Sequence, residues 1–398
     1  MGCLFRKLPK HTLNTLENMM NVMTPPIAAP VLKDKGLELA LSDGASHYFN
    51  YFWLRDNCPS SFNADTRERS FDIFHLDTAP RAQTAEVVGD ALKITWADED
   101  HVTRFPLDWL EAYKTPARRP DPADLPRKAW YGDHYPDVPR FSQPELLADP
   151  ALRAKWIEAL LVEGFVILTD MPNSDAGITE TAEMIGQVRP TFFGDYFDVK
   201  THINPTNTAY TASALELHTD TPAEEHAPGV QFLHCRANTV EGGYSLYADG
   251  VAVANDFRLR DPEGFKVLSE VPVPFFCEHD TYDMRSRQTI IELDRHGEVS
   301  GLTISQHMLD ISDLEQELLD SWYPAFCRFG KMLQEEKYMM TFLMKAGECM
   351  VFDNHRIVHG RAAYTAESGD RYLRGCYTDR AEVRSTYRAL VSEGRFKK

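Results

Sequence analysis

The chain has 398 residues, 43% apolar and 26% charged, with a formal net charge of −18. That length suits one large domain plus a smaller one, and the composition provides for both a core and a solvated surface. So acidic a surface argues against nucleic acid and anionic membranes as partners, and no apolar run approaches the ~18 residues of a membrane span. The first residues lack a signal peptide's apolar stretch, and Arg6 stands where a myristoylation motif wants Ser or Thr. The seven cysteines are scattered, which points to reduced thiols in a cytoplasmic protein.

Residues 1–30 end in Thr24-Pro25-Pro26 and read as an N-terminal extension. Residues 31–115 read as a small β-rich domain, because Phe71-Asp-Ile-Phe74 and Leu92-Lys-Ile-Thr-Trp96 alternate between turn residues. The proline-rich stretch 116–141 reads as a linker without regular structure. A larger domain, 142–398, follows. Ser142-Gln-Pro-Glu145 is a capping box opening a helix that carries Leu146, Leu147, Leu152, Trp156, Ile157, Leu160 and Leu161 and stops at Gly164. Phe165 to Thr169 predicts a buried strand and Ile178 to Val188 a helix, with short strands to about residue 305. Ser312-Asp-Leu-Glu315 caps a further helix towards Lys337, in which Pro324 predicts a kink or an early break. Strands return at 340–344, 349–353 and 372–377. The fold expected is α+β: a double-stranded β-helix, or jelly roll, flanked by helices, with the small β-rich domain in front.

His218-Thr-Asp220 places an imidazole and a carboxylate two residues apart, on one side of a strand. With a second histidine such a pair forms the facial triad of non-haem ferrous oxygenases, which leaves positions open for substrate and oxygen. His75-Leu-Asp77 repeats the pair, so context must decide. After His218 come His359 and, twelve residues later, Arg371 on an apolar strand, a guanidinium suited to clamping a carboxylate. A rival pairs His355 with His359 at the spacing of zinc proteases, but no glutamate base accompanies them, since Asn354-His355-Arg356 supplies none.

His218-Thr-Asp220, Glu241-Gly-Gly-Tyr-Ser245, Phe352-Asp-Asn354, His359-Gly-Arg361 and Arg371-Tyr-Leu-Arg-Gly-Cys-Tyr377 together resemble the gamma-butyrobetaine and trimethyllysine dioxygenases, taurine-dioxygenase-like Fe(II)/2-oxoglutarate enzymes. Tyr51-Phe-Trp-Leu-Arg-Asp-Asn-Cys58-Pro is similar to their small N-terminal domain. The resemblance covers most of residues 40–390. It implies that His218, Asp220 and His359 hold Fe(II), that Arg371 grips 2-oxoglutarate with Ser245 as hydroxyl partner and Leu233 lining that site, and that O2 is the oxidant. It also implies an aromatic cage for trimethylammonium at Phe193, Phe197, Tyr210 and Tyr377, in keeping with the attraction of ring faces for a cation that cannot donate hydrogen bonds. Homodimerisation is a further implication.

Three departures from the family pattern matter. Cys58 remains of a zinc site whose other cysteine positions hold Ser60 and Asn63, with Asp100 or His101 near the fourth. These are too few ligands for structural zinc, so none is expected. Two cage positions are Phe where the relatives tend to carry Tyr and Trp. At the substrate's acidic end Asn207 matches, but Ser305-Gln306-His307 replaces an Asn-rich stretch and Arg287 is nearby in sequence. That donor-rich set suits a phosphonate. The expected activity is thus hydroxylation of 2-trimethylaminoethylphosphonate at the carbon next to phosphorus, in organophosphonate catabolism. Gamma-butyrobetaine is the alternative substrate and trimethyllysine the third. Two readings of other classes are a non-catalytic betaine-binding jelly roll and a zinc hydrolase.

Overall fold

In this computed structural model the structure describes residues 29–114, 121–200, 211–279 and 281–392. The chain forms two compact units, one up to Pro120 and one from Asp121. Among the described residues no helix is long and apolar enough to cross a membrane.

The smaller unit holds two three-stranded sheets. One contains Val31–Leu32, Gly36–Ala40 and Ser46–Asn50; the other is a meander of Ala82–Val88, Ala91–Trp96 and Val102–Pro106. Alternation along Ala91–Trp96 turns Leu92, Ile94 and Trp96 into a core shared with Leu37, Leu39, Phe49 and Phe105. Phe71–Phe74, expected as strand, is instead part of a short turn. The Asp72 carboxylate accepts the Phe74 N–H at 2.9 Å, and Phe74 is 90% exposed. This local bond offers the backbone an alternative to a sheet partner.

The larger unit is a sandwich of two sheets. The six-stranded sheet runs Arg140–Ser142, Phe165–Thr169, Cys349–Asp353, Val230–Asn238, Arg371–Thr378, Phe197–Val199; the four-stranded sheet runs Leu215–His218, Ile357–Arg361, Ser245–Asp249, Met340–Phe342. Period-2 alternation sorts each strand's residues between the faces. Phe165, Ile167, Leu233, Met350, Phe352 and Leu373 pack inward with Tyr247, Met340 and Phe342. Val166, Leu168, Phe232, Val351 and Cys376 face outward, under helices Pro150–Glu163, Asp175–Glu183 and Arg380–Val391. Helices Gly250–Arg260, Pro262–Glu270 and Gln316–Leu333 bury their apolar faces with Leu217, Ala248 and Val358 on the outside of the other sheet. The expected jelly roll with flanking helices is the observed architecture.

Three local expectations change. The stretch expected as a linker is packed from Asp121 onward. Ala123, Trp130 and Val138 are buried, and the Trp130 indole donates to the Glu163 carbonyl at 2.9 Å. His134 and Lys128 meet the Glu163 carboxylate at 2.8 and 2.9 Å. Prolines forbid regular ladders there but leave the apolar residues between them free to join the core. The helix expected from Ser142 to Gly164 is two helices, Gln143–Ala148 and Pro150–Glu163. Pro150 drives Asp149 to extended backbone, where its carboxylate caps the second helix by accepting the Ala151 N–H. Conversely, Gln316–Leu333 runs unbroken through Pro324, held by burial of Trp322, Ala325, Phe329, Met332 and Leu333.

Candidate active site

The site is built on the inner faces of both sheets. His218 closes its strand directly opposite His359 on the antiparallel neighbour, so both imidazoles point the same way, with ring centroids 4.4 Å apart. Asp220 lies beyond the end of the strand, so strand periodicity is not what aims it. Asn354, 1% exposed, brackets its backbone: Asn354 Oδ1 accepts the Asp220 N–H at 2.8 Å, and Nδ2 donates to the Asp220 carbonyl at 3.1 Å. Thr221 follows at φ 53°, a left-handed conformation rare for a β-branched residue, and turns the chain sharply after the carboxylate.

Asp220 Oδ1 thereby comes 3.2 Å from His218 Nε2 and 3.7 Å from His359 Nε2. One ligand atom from each of the three residues lies within 4.8 Å of the others. His218 Nδ1 is 2.8 Å from the Glu216 carbonyl, so the tautomer donating that bond leaves the Nε2 lone pair facing the cluster. Burial pushes the His359 imidazole down to about 3, so it is a neutral donor. Burial would raise the Asp220 carboxyl, but His359, His218 and the Tyr377 hydroxyl outweigh it and hold the group well below the usual range. Two imidazoles and one carboxylate fit a divalent iron with positions left open.

This cluster lines a cavity of about 900 Å³, its open mouth included. At one end stands Arg371, 9% exposed, whose Nε and Nη1 have no hydrogen-bond partner among the described residues. A buried guanidinium left so is costly unless an anion completes it, and a carboxylate fits its fork. Ser245, 4% exposed, and Leu233 line the same cavity. The Gly242-Gly243 turn that leads into the Ser245 strand needs glycine, because both residues have positive φ, at 88° and 68°. Away from Arg371 the wall is aromatic: Phe193 and Phe197 lie 6.0 Å apart by centroid, and Phe197 stacks on Tyr377 at 5.2 Å.

The cavity therefore gathers His218, Asp220, His359, Arg371, Ser245, Leu233, Phe193, Phe197, Tyr377 and His307. Asn207 and Tyr210 lie outside the described residues. Arg287, expected at the substrate's acidic end, is not in the lining; it ion-pairs with Asp313 and bonds the Pro272 carbonyl at 3.2 Å. Ser305 is fully buried behind His307, its Oγ 3.4 Å from the ring nitrogens, and Gln306 is exposed away from the lining. The second His-x-Asp pair does not form a site: His75 is solvent-exposed and 3.9 Å from Asp72. His355 turns from His359 to the Ala227 carbonyl at 3.1 Å, which removes the protease-like pairing. Sequence reasoning missed Phe192, Thr221, Gln231, Tyr247 and Arg361, all in the lining. Arg361 stood in a quoted motif without a role, and its Nη2 donates to the Thr211 and Ser213 carbonyls at 2.7 and 2.6 Å.

A jelly roll with this cluster and a buried arginine beside it defines a class, the iron- and 2-oxoglutarate-dependent dioxygenases. Comparison with known proteins agrees. Residues 127–377 match the model of the taurine catabolism dioxygenase TauD, TfdA family, and residues 31–111 match a gamma-butyrobetaine hydroxylase-like N-terminal model. The gamma-butyrobetaine dioxygenase of Pseudomonas sp. (strain AK-1) is 30% identical over 364 residues, 90% of this chain and 95% of its own. The human gamma-butyrobetaine dioxygenase is 32% identical over 85% of this chain and 90% of its own, and bovine mitochondrial trimethyllysine dioxygenase is 29% identical over 86% and 82%. The chain belongs to the TauD, TfdA family, in its gamma-butyrobetaine and trimethyllysine dioxygenase branch. It is a dioxygenase, and its family uses Fe(II), 2-oxoglutarate and O2.

Proposed function

We propose that the chain hydroxylates a small trimethylammonium zwitterion while 2-oxoglutarate is decarboxylated to succinate. The observation that supports this most is one cavity holding the His218–Asp220–His359 cluster, an aromatic wall and a buried arginine with two nitrogens that lack hydrogen-bond partners among the described residues. When bound, iron and its co-substrate supply the oxidising chemistry. The chain's own residues bind and orient. His218, Asp220 and His359 hold the ion. Arg371 and Ser245 seat the distal carboxylate of 2-oxoglutarate, and Leu233 lines that seat. Phe193, Phe197 and Tyr377, with Tyr210, receive the quaternary ammonium through their ring faces. Holding the substrate at both ends would turn one methylene towards the His218–Asp220–His359 cluster, and the apolar wall would keep water out.

For the anionic end a carboxylate, as in gamma-butyrobetaine, is the better fit to the described wall. Arg287, which favoured a phosphonate, is engaged by Asp313, and of the Ser305-Gln306-His307 run His307 lines the cavity. Hydroxylation of 2-trimethylaminoethylphosphonate beside phosphorus is the second reading, supported by His307 in the cavity lining with Ser305 Oγ backing its ring. Succinate release with Fe(II), 2-oxoglutarate and O2, measured with both betaines side by side, tests this. Faster turnover of gamma-butyrobetaine is expected; faster turnover of the phosphonate would reverse the order of the two readings. Betaine binding without succinate would point to a non-catalytic sensor, and product formed without oxygen to a zinc hydrolase. A homodimer in the cytoplasm belongs to the same reading, and a monomeric mass by light scattering would remove the dimer.

A further inference from the structure

The strand Arg371–Thr378 presents Arg371, Leu373, Gly375 and Tyr377 to one face. Arg371 ends at one side of the cavity and Tyr377 at the other. Tyr377 was singled out above for its ring. Its hydroxyl makes a separate contact: it donates to Asp220 Oδ2 at 2.7 Å. The ring itself is held by stacking on Phe197 at 5.2 Å, and the residue is 2% exposed, so the hydroxyl has a fixed position.

The two oxygens of Asp220 therefore face different partners. Oδ1 points to His218 Nε2 and His359 Nε2, and Oδ2 is capped by the phenol. The Asn354 bracket fixes only the Asp220 backbone; the carboxylate could still rotate about its own axis. Among the described residues the phenol is the hydrogen-bond donor that Oδ2 has. A carboxylate free to turn would offer an ion both oxygens and fill a position the co-substrate needs.

We propose that Tyr377 is a positioning residue for the metal: its hydroxyl occupies Asp220 Oδ2 so that the carboxylate presents Oδ1 alone to the ion. This rests on the reading of His218, Asp220 and His359 as the metal ligands. Partners of metal ligands typically account for roughly 10- to 100-fold in metal affinity. Because the same side chain forms part of the aromatic wall, the substituted residue must keep its ring.

The test is Tyr377→Phe, which keeps the ring and its stacking and removes only the hydroxyl. Mn(II) alone is titrated into the full-length apo protein by calorimetry, and Co(II) alone is followed by its visible absorption. Tyr377→Phe is expected to weaken Mn(II) binding roughly 10-fold and to alter the Co(II) spectrum, which reports the ligand set. Tyr387→Phe, which removes a phenol that bonds Glu158 in the outer helix layer and leaves the cavity untouched, is expected to bind both ions as the wild type does. A purely structural hydroxyl would lower the melting temperature of apo Tyr377→Phe and leave Mn(II) affinity and the Co(II) spectrum unchanged; that result overturns the proposal. If the wild type itself binds neither ion, the ligand assignment fails and the proposal falls with it. A wild type that binds alongside a Tyr377→Phe variant that binds equally well overturns the proposal alone.

Discussion

Arg371 is a buried guanidinium with two nitrogens lacking partners among the described residues, so its substitution should separate binding from stability. Two charge-assisted hydrogen bonds are each worth about 1.5–3 kcal/mol, so Arg371→Met is expected to raise the 2-oxoglutarate KM by roughly 100-fold or more. The apo protein should melt no lower than the wild type, since an uncompensated buried charge is removed. An unchanged KM would take Arg371 out of its role. His234 is the second residue whose state has a consequence. It is fully buried on the helix side of its strand, cross-strand from Cys349 and Arg374, with neither ring nitrogen hydrogen-bonded among the described residues, and burial followed by the Arg236 charge pushes it down to about 4. The folded value lies below the unfolded one near 6.5, so the unfolded chain takes up the proton first as pH falls. The stability contribution is whole above about 6.5 and is lost towards 4, about 2 kcal/mol of it by pH 5. Urea titrations at pH 7.5 and pH 5 should show a smaller acid loss in His234→Leu than in the wild type; equal losses would contradict this.

At the scale of elements, the strand carrying Gly375 shapes the aromatic wall. A Cβ at Gly375 would stand 2.2 Å from Phe197 Cζ, so the glycine makes room for the ring that stacks on Tyr377. Gly375→Ala should destabilise the fold by about 1–3 kcal/mol through overpacking. It should raise the betaine KM several-fold and leave the 2-oxoglutarate KM unchanged, and a shift in both would show that the two seats are not separable. In the smaller unit, Cys58 Sγ sits 3.3 Å from His101 Nε2 and 3.1 Å from Ser60 Oγ, while the Asn63 side chain accepts the N–H groups of Asp65 and Thr66 within its own turn. One thiol and one imidazole are too few for structural zinc, so elemental analysis of purified protein is expected to find no stoichiometric zinc; one zinc per chain would contradict that.

Legibility followed sequence distance. The partnership of His218 with Asp220 could be seen because a single residue separates them, although a turn clamped by Asn354 aims the carboxylate, and neither that clamp nor the left-handed Thr221 leaves a pattern in the sequence. Phe165–Thr169, Cys349–Asp353 and most of Arg371–Thr378 were visible as apolar runs, whereas Ile357–Arg361, which carries His359, was not. Arg287 was misplaced because closeness in sequence to Ser305 is not closeness in space, and Asp313 captures it. The packed segment around Trp130 was hidden by its prolines, which announce irregular backbone and say nothing of burial. The unbroken helix through Pro324 shows tertiary burial overriding a local breaker.

At the scale of the whole molecule, a chain of net charge −18 can attract an anionic co-substrate only through cations placed locally, and Arg371, buried in the cavity lining, is the cation proposed for that part. The central claim is that this cavity couples 2-oxoglutarate and oxygen to hydroxylation of a trimethylammonium zwitterion. Its most direct test is turnover under isotopically heavy oxygen gas with mass analysis of both products. One heavy atom should enter succinate and the other the hydroxylated betaine. A hydroxyl oxygen taken from water, or a betaine left unlabelled while succinate is labelled, would contradict the account.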